Sequence, residues 1–288
     1  MLTTRIIGVI NVLNGVAVQS INFDKYLPIG DPQICVNYLN KWGIDEIIIL
    51  DIKGHLNREF QLHKKLPKYV LECQAPISSG GGIKNLNDIE NLIRNGSDKV
   101  IINSSIHSNP KIIYDGAKEF GNQAIIVSID VRKINGSYEA FTHSGSKRIE
   151  MPLQDIITMT QDNGAGEIMI NSIDRDGSKL GYDLSLFDFI SINSNIPIIG
   201  CGGVGSSIHF LKALDLNLSG LAAGNFFHYT EHSVNILKSY LVHHKKNIRL
   251  ETYADYKKVN FGLDERVLPY EDEKLEALKY NYIPQEKI

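Results

Sequence analysis

Eight short apolar runs, each followed by an amphipathic stretch, predict an α/β chain folded as a single closed (βα)8 barrel of the TIM type, with an internal half-barrel repeat and a short C-terminal extension. Three observations carry this expectation. The chain has 288 residues, enough for one barrel of about 250 residues and a tail. Several runs ("EIIIL", "AIIVSI") are apolar throughout, as strands buried on both faces require. The two halves also repeat. "WGIDEIIILDI" (42–52) aligns with "NGAGEIMINSI" (163–173), setting Glu46 over Glu167 at a spacing of 121 residues. At the same spacing "APISSGGGI" (75–83) meets "IPIIGCGGV" (196–204), and Asn14-Gly15 meets Asn135-Gly136, the mark of a duplicated four-unit block.

Taken in order, the strands are expected near 5–12, 46–51, 76–80, 98–103, 123–130, 167–172, 197–201 and 218–224. The first reaches Asn11, turns at Asn14-Gly15 and continues as a second apolar run ending in Gln19. Between strands, "DPQICVNYLNKWG" and "NLNDIENLIRNG" open on Asp or Asn, suited to capping, and close on Gly. Eight such units, rather than five or six, favour closure over an open sheet. The first strand's "GVINVLNG" also lacks the GxGxxG of a Rossmann-type fold. Past residue 250 the alternation stops, dividing the chain into a barrel over 1–248 and an extension over 249–288. The extension is charged and rich in tyrosine, with a helical candidate at 271–281. Its aromatics need burial, either on the barrel or against a partner.

Composition excludes several classes. The 30 Lys and Arg against 33 Asp and Glu give a net charge of −3, and without a long basic stretch neither nucleic acid nor a membrane surface is expected as a partner. Cys35, Cys73 and Cys201 are scattered, odd in number and without CxxC spacing, which suits reduced thiols in a cytoplasm. No secretory start is visible, no apolar run approaches about 18 residues, and no pattern calls for a metal or cofactor.

In such barrels the chemistry sits at the C-terminal ends of the strands. Gly80-Gly81-Gly82 and Gly200, Gly202-Gly203 follow the third and seventh strands. They are either tight turns or phosphate cradles. Their relation by the repeat points to two cradles across one mouth, and so to a long ligand with anionic groups at both ends. Asn103 and Ser104, Asp176-Gly177 and Gly224-Asn225 are further candidates for phosphate contact. Asp130, closing "AIIVSID", is either an acid/base group or an aspartate bonding nearby backbone amides. Its repeat partner is Asn11, and an amide cannot exchange protons as a carboxylate does. At the other end of the barrel, Arg5, Glu46, Lys99 and Glu167, with Asp98 beside them, form either a bottom closure of ion pairs or a gate.

The stretches "GDP" (30–32), "DEIIILDI", "GGGI", "GSDKVIINSS", "AIIVSID", "GAGEIMINSIDRDGSKLGYD" and "FFH" together resemble the cyclase subunit of imidazole glycerol phosphate synthase over roughly residues 1–245. That resemblance implies a separate glutaminase docked at the barrel bottom, with Asp98 at its interface. Ammonia released there passes a gate of Arg5, Glu46, Lys99 and Glu167 and crosses the barrel to a bis-phosphate at the top. Glutaminase chemistry needs an activated cysteine, and Cys201 lies in a glycine turn with no histidine partner, so the glutaminase is a second chain. The resemblance makes Asp130 one of two catalytic carboxylates and places Asn11 where the other is expected. Gln19 stands for an expected Lys, Asn171 for Thr, and Gly224-Asn225 for Ala-Ser. A kept bottom under a changed top resembles a divergent branch found with surface-polysaccharide genes, in which the barrel passes ammonia to a sugar amidotransferase that makes acetamidino sugars. "VQSINFDKYLPIGDP" and "YIPQEKI" carry that likeness. The expectations are therefore an ammonia-conducting subunit of a sugar-amidating complex, a working cyclase of histidine biosynthesis, or a scaffold that conducts nothing.

Overall fold

A computed structural model describes residues 3–54, 60–230, 232–250, 256 and 259–277. Strand β1 (Arg5–Leu13) is followed by β2 (Val16–Ile21), β3 (Lys25–Gly30) and helix α1 (Pro32–Lys41). Next come β4 (Glu46–Asp51), α2 (Leu62–Val70), β5 (Ile77–Gly80), α3 (Leu86–Arg94), β6 (Lys99–Ile102), α4 (Ser105–Ser108) and α5 (Lys111–Phe120). The second half holds β7 (Ile125–Ile134), β8 (Ser137–Thr142), β9 (Lys147–Arg148), α6 (Leu153–Asp162), β10 (Glu167–Ser172), α7 (Leu184–Asn193), β11 (Ile198–Cys201), α8 (Ser207–Ala213), β12 (Gly220–Ala223) and α9 (Ser233–His243). A last helix, α10, spans Asp272–Ala277. The parallel strands β1, β4, β5, β6, β7, β10, β11 and β12 close into a barrel through the β7–β10 and β12–β1 pairs, as the eight runs predict.

Alternation explains why these strands are apolar on both faces. Ile7, Val9, Ile48, Ile101, Ile126, Met169, Ile199 and Ala222 fill the barrel interior. Their neighbours Ile6, Ile10, Ile47, Ile49, Val127 and Ile168 join Leu39, Ile89, Ile156 and Phe210 in the layer between strands and helices. The expected caps are present: Asp31 accepts from the Gln33 N–H, and Asn85 and Asp88 form a reciprocal capping box. Lys238 of α9, 1% exposed, ties the last barrel helix to the start of the chain. Its Nζ donates to Gly43 O and Asp45 Oδ1 at 2.6 Å each, and Asp45 Oδ2 accepts the Ile6 N–H at 2.8 Å.

The second apolar run after Asn14-Gly15 is a β-strand, and the same device recurs in the second half. Asn14 (φ 51°) and Gly15 (φ 85°), like Asn135 (φ 50°) and Gly136 (φ 89°), take the left-handed conformation of tight hairpin turns. They fold β2 back on β1 and β8 back on β7, with Asn11 opposite Val18 and Asp130 opposite Phe141. The hairpins meet over the barrel mouth: a side chain at Gly145 would press on Ile173 and Phe23, and Ser144 Oγ donates to Ile52 O at 3.1 Å.

The helical candidate at 271–281 is seen as α10 over Asp272–Ala277, starting one residue later than expected, and 278–281 lie outside the described residues. Upstream, Phe261 packs on Tyr240 and His243, and Glu265 Oε2 accepts the Ile208 N–H at 2.9 Å. These contacts lay residues 259–268 on α8 and α9. Among the described residues no helix is long and apolar enough to cross a membrane.

Candidate active site

One cavity of about 420 Å³ occupies the C-terminal end of the barrel, within the usual range for small-ligand sites. It brings together most of the residues the sequence places at the mouth: Asn11, Gly81, Gly82, Asn103, Ser104, Asp130, Asp176, Gly177, Gly202, Gly203, Gly224 and Asn225, with Asn171 beside them, while Gly80, Gly200 and Gln19 are not in its lining.

Asp130 is 6% exposed, and its Oδ2 accepts from Asn103 Nδ2 at 3.0 Å. Burial pushes its carboxyl up to about 7; the Asn103 hydrogen bond opposes this, and the charge of Asp176 adds to it. A carboxyl poised near neutrality can both take and give a proton. Its partner is a side chain rather than a set of backbone amides, which favours the acid/base alternative over the structural one.

Two other expected ligand contacts are occupied by the β2–β3 hairpin. Asp176 Oδ2 accepts from Ser20 Oγ at 2.6 Å and from the Phe23 N–H at 3.1 Å, and burial pushes its carboxyl up. Asn225 Oδ1 accepts the Ser20 N–H at 3.3 Å while its Nδ2 donates to Ser20 O at 2.8 Å. The amide at 225 thus pairs with a strand backbone as another strand would. Gln19 pairs with Leu27 across the β2–β3 hairpin and does not line the cavity. Its side chain projects from the opposite face to that of Ser20.

The two glycine clusters are tight turns that also line the cavity. Gly81 (φ 120°) lies against Asp51 O and Gly203 (φ 97°) against Gly181 O, both too closely to admit a Cβ. Gly203→Ala is expected to lower stability by roughly 2 kcal/mol or more, because the added methyl meets backbone in a left-handed conformation. Thermal unfolding checks this, and an unchanged midpoint would show that the turn can relax.

Tyr26, Lys84, His143 and Lys179 also line the mouth, and strand periodicity alone does not point to them. A signal for two of them was present in the repeated Asn-Gly turns. Each starts a hairpin that carries the chain over the mouth, and Tyr26 and His143 lie on those excursions.

At the opposite end, the four charged side chains form a closed ring. Arg5 Nη1 meets Glu46 Oε2 at 2.5 Å and its Nη2 meets Glu167 Oε1 at 2.7 Å. Lys99 Nζ spans the same carboxylates at 3.3 Å and 3.4 Å. Ser78 Oγ donates to Glu46 Oε1 at 2.6 Å. Asp98 lies outside the ring, exposed, with Oδ2 accepting the Ile77 N–H at 2.7 Å.

These features define a class: a duplicated (βα)8 barrel whose two repeat-related glycine turns face a single cavity around a buried carboxylate. More particularly, the histidine biosynthesis protein family matches residues 5–233, and the chain belongs to that family. It is 37% identical over 251 residues to imidazole glycerol phosphate synthase subunit HisF of Thermotoga sp. (strain RQ2), covering 87% of this chain and 99% of the relative. A protein of Vibrio vulnificus (strain YJ016), provisionally named imidazole glycerol phosphate synthase subunit hisF2, is 36% identical over 273 residues, covering 94% and 99%. The HisF subunit of Natranaerobius thermophilus is 36% identical over 251 residues, covering 87% and 100%. The Vibrio match therefore takes in more of this chain than its barrel alone.

Proposed function

We propose that the protein is the HisF-like barrel subunit of a glutamine-dependent synthase. It admits ammonia through the ring at Arg5, Glu46, Lys99 and Glu167 and uses Asp130 at the mouth on a ligand phosphorylated at both ends. The observation that carries this reading is the burial of Asp130 in the same cavity as both glycine turns. A HisH-like glutaminase docks at the barrel bottom beside Asp98, since ammonia must enter there and the relatives are themselves named as synthase subunits. Those names also support the cyclase reaction of histidine biosynthesis over sugar amidation.

Asn11 is the observation that favours the second reading, in which ammonia leaves for an acetamido sugar held by a third protein. With an amide at position 11, a reaction needing an acid and a base at opposite ends of its substrate lacks the group at that position.

The test supplies the purified protein with an ammonium salt and the bis-phosphate of the histidine pathway, with the Thermotoga relative as positive control. Turnover supports the cyclase reading, and no turnover beside a working control removes it. Asn11→Asp is expected to raise any rate by less than about tenfold, short of the 10²- to 10⁴-fold that a well-placed acid or base contributes. The reason is that Asn171 and Asn225 still shape the mouth. A hundredfold rise would show that residue 11 alone separates this site from a two-carboxylate one.

A further inference from the structure

We infer that His143 and Ser105 join Asn103 and Ser104, which follow β6, and the Gly81-Gly82 turn in a single cradle, so that a phosphate group there is held from the roof as well as from the barrel. This rests on the reading of the mouth as a site for a phosphorylated ligand. His143 opens the turn between β8 and β9 at φ 53°, and Ser144 follows at φ 55°. Two successive side-chain-bearing residues in the left-handed region are uncommon and concentrate at functional sites. The turn is fixed from three directions: the His143 N–H donates to Ser104 Oγ at 3.3 Å, Ser144 Oγ to Ile52 O at 3.1 Å, and the Ser146 N–H to His143 O at 3.3 Å. His143 is thereby set on the wall of the cavity beside Ser104.

The second observation is independent of the turn. Ser105 lines the same cavity, is 9% exposed, and its Oγ has no hydrogen-bond partner among the described residues. A buried hydroxyl left unsatisfied is costly; the Oγ is closed off from the cavity as it stands, and a turn about χ1 toward the mouth lets a phosphate oxygen satisfy it. The cradle also communicates with the acid/base group. Ser104 Oγ donates to Asn103 Oδ1 at 3.2 Å, and Asn103 Nδ2 donates to Asp130 Oδ2 at 3.0 Å.

Titration of the full chain with inorganic phosphate, followed by NMR, tests this. The probes are the amide signals of Gly82 and Ser104 and the His143 imidazole signal, assigned by its loss in His143→Asn. All three are expected to move together, and His143→Ala is expected to weaken phosphate binding about tenfold, the scale of one charge-assisted hydrogen bond. Ser105→Ala should weaken it less. Movement of Gly82 and Ser104 with a still His143, together with unchanged affinity in His143→Ala, would overturn the inference and leave the mouth reading intact. Movement confined to the Gly202 and Gly203 amides would overturn it as well. If no signal moves, the phosphorylated-ligand reading falls too.

Discussion

Asp130→Asn is expected to cut turnover at the mouth by orders of magnitude while making the folded protein more stable above neutral pH. The substitution keeps the shape of the side chain and leaves an oxygen to accept from Asn103 Nδ2, so the wall of the cavity stays in place. What it removes is a proton-transfer group, which should lower the rate by about 10²- to 10⁴-fold and remove the inflection near pH 7 expected of a carboxyl raised to that value. The stability effect follows from the same burial. The carboxyl's folded-state value is raised from 3.8 to about 7, so the folded state holds this proton more tightly than the unfolded chain does. Stability from this group is fully present below about pH 4 and is lost as pH rises through 7. The amide does not titrate. The variant should therefore melt with the wild type at pH 3.5 and above it at pH 8, by an amount of order 2–4 kcal/mol. A gain in stability with a loss of rate marks a residue held for chemistry at the expense of the fold. A variant that keeps its rate within fivefold would remove Asp130 from the mechanism.

The barrel was legible because a strand buried on both faces can be read from a plain apolar run, and because each half states the pattern again. The placement of residues at the two ends of the barrel was legible as well, since the ends of the strands carry the charges that meet in the ring and the glycines that line the cavity. What was hidden is the roof. The Asn-Gly turns at 14–15 and 135–136 are short-range signals, but where the folded-back strands lead depends on contacts distant in sequence, such as Phe23 with Asp176 and Ser144 with Ile52. For the same reason Gln19, weighty as a missing cation, lies off the cavity. Asn225, expected to face a ligand, spends both ends of its amide on Ser20. Periodicity finds the strand ends that reach the mouth; it finds neither the residues that the hairpins bring over it, such as Tyr26 and His143, nor what each residue bonds once there.

At the barrel bottom, Arg5→Ala and Lys99→Ala are expected to fail in different ways. Each cation spans both carboxylates, so the ring alternates in sign and is closed, but its two sides are unequal. Arg5 contacts Glu46 and Glu167 at 2.5 and 2.7 Å and also donates from Nε to Ser219 O at 3.2 Å, whereas Lys99 stands off at 3.3 and 3.4 Å. Glu46 is 1% exposed, and removing Arg5 leaves it with Ser78 and the longer lysine contact, at a cost of about 3–5 kcal/mol, as for breaking a buried pair. Removing Lys99 leaves both carboxylates on the guanidinium and should cost about 1 kcal/mol. If ammonia enters here, the lysine side is where the ring parts most readily, and without it the entrance no longer closes behind each molecule. With the glutaminase in place, Lys99→Ala should keep its ammonium-driven rate but consume severalfold more glutamine per product, because ammonia escapes backwards. The ammonium-driven reaction controls for misfolding, and urea titration separates the stability costs of the two variants. Equal glutamine consumption in Lys99→Ala and wild type would reduce the ring to a bottom closure, with its four charges doing no more than joining β1, β4, β6 and β10.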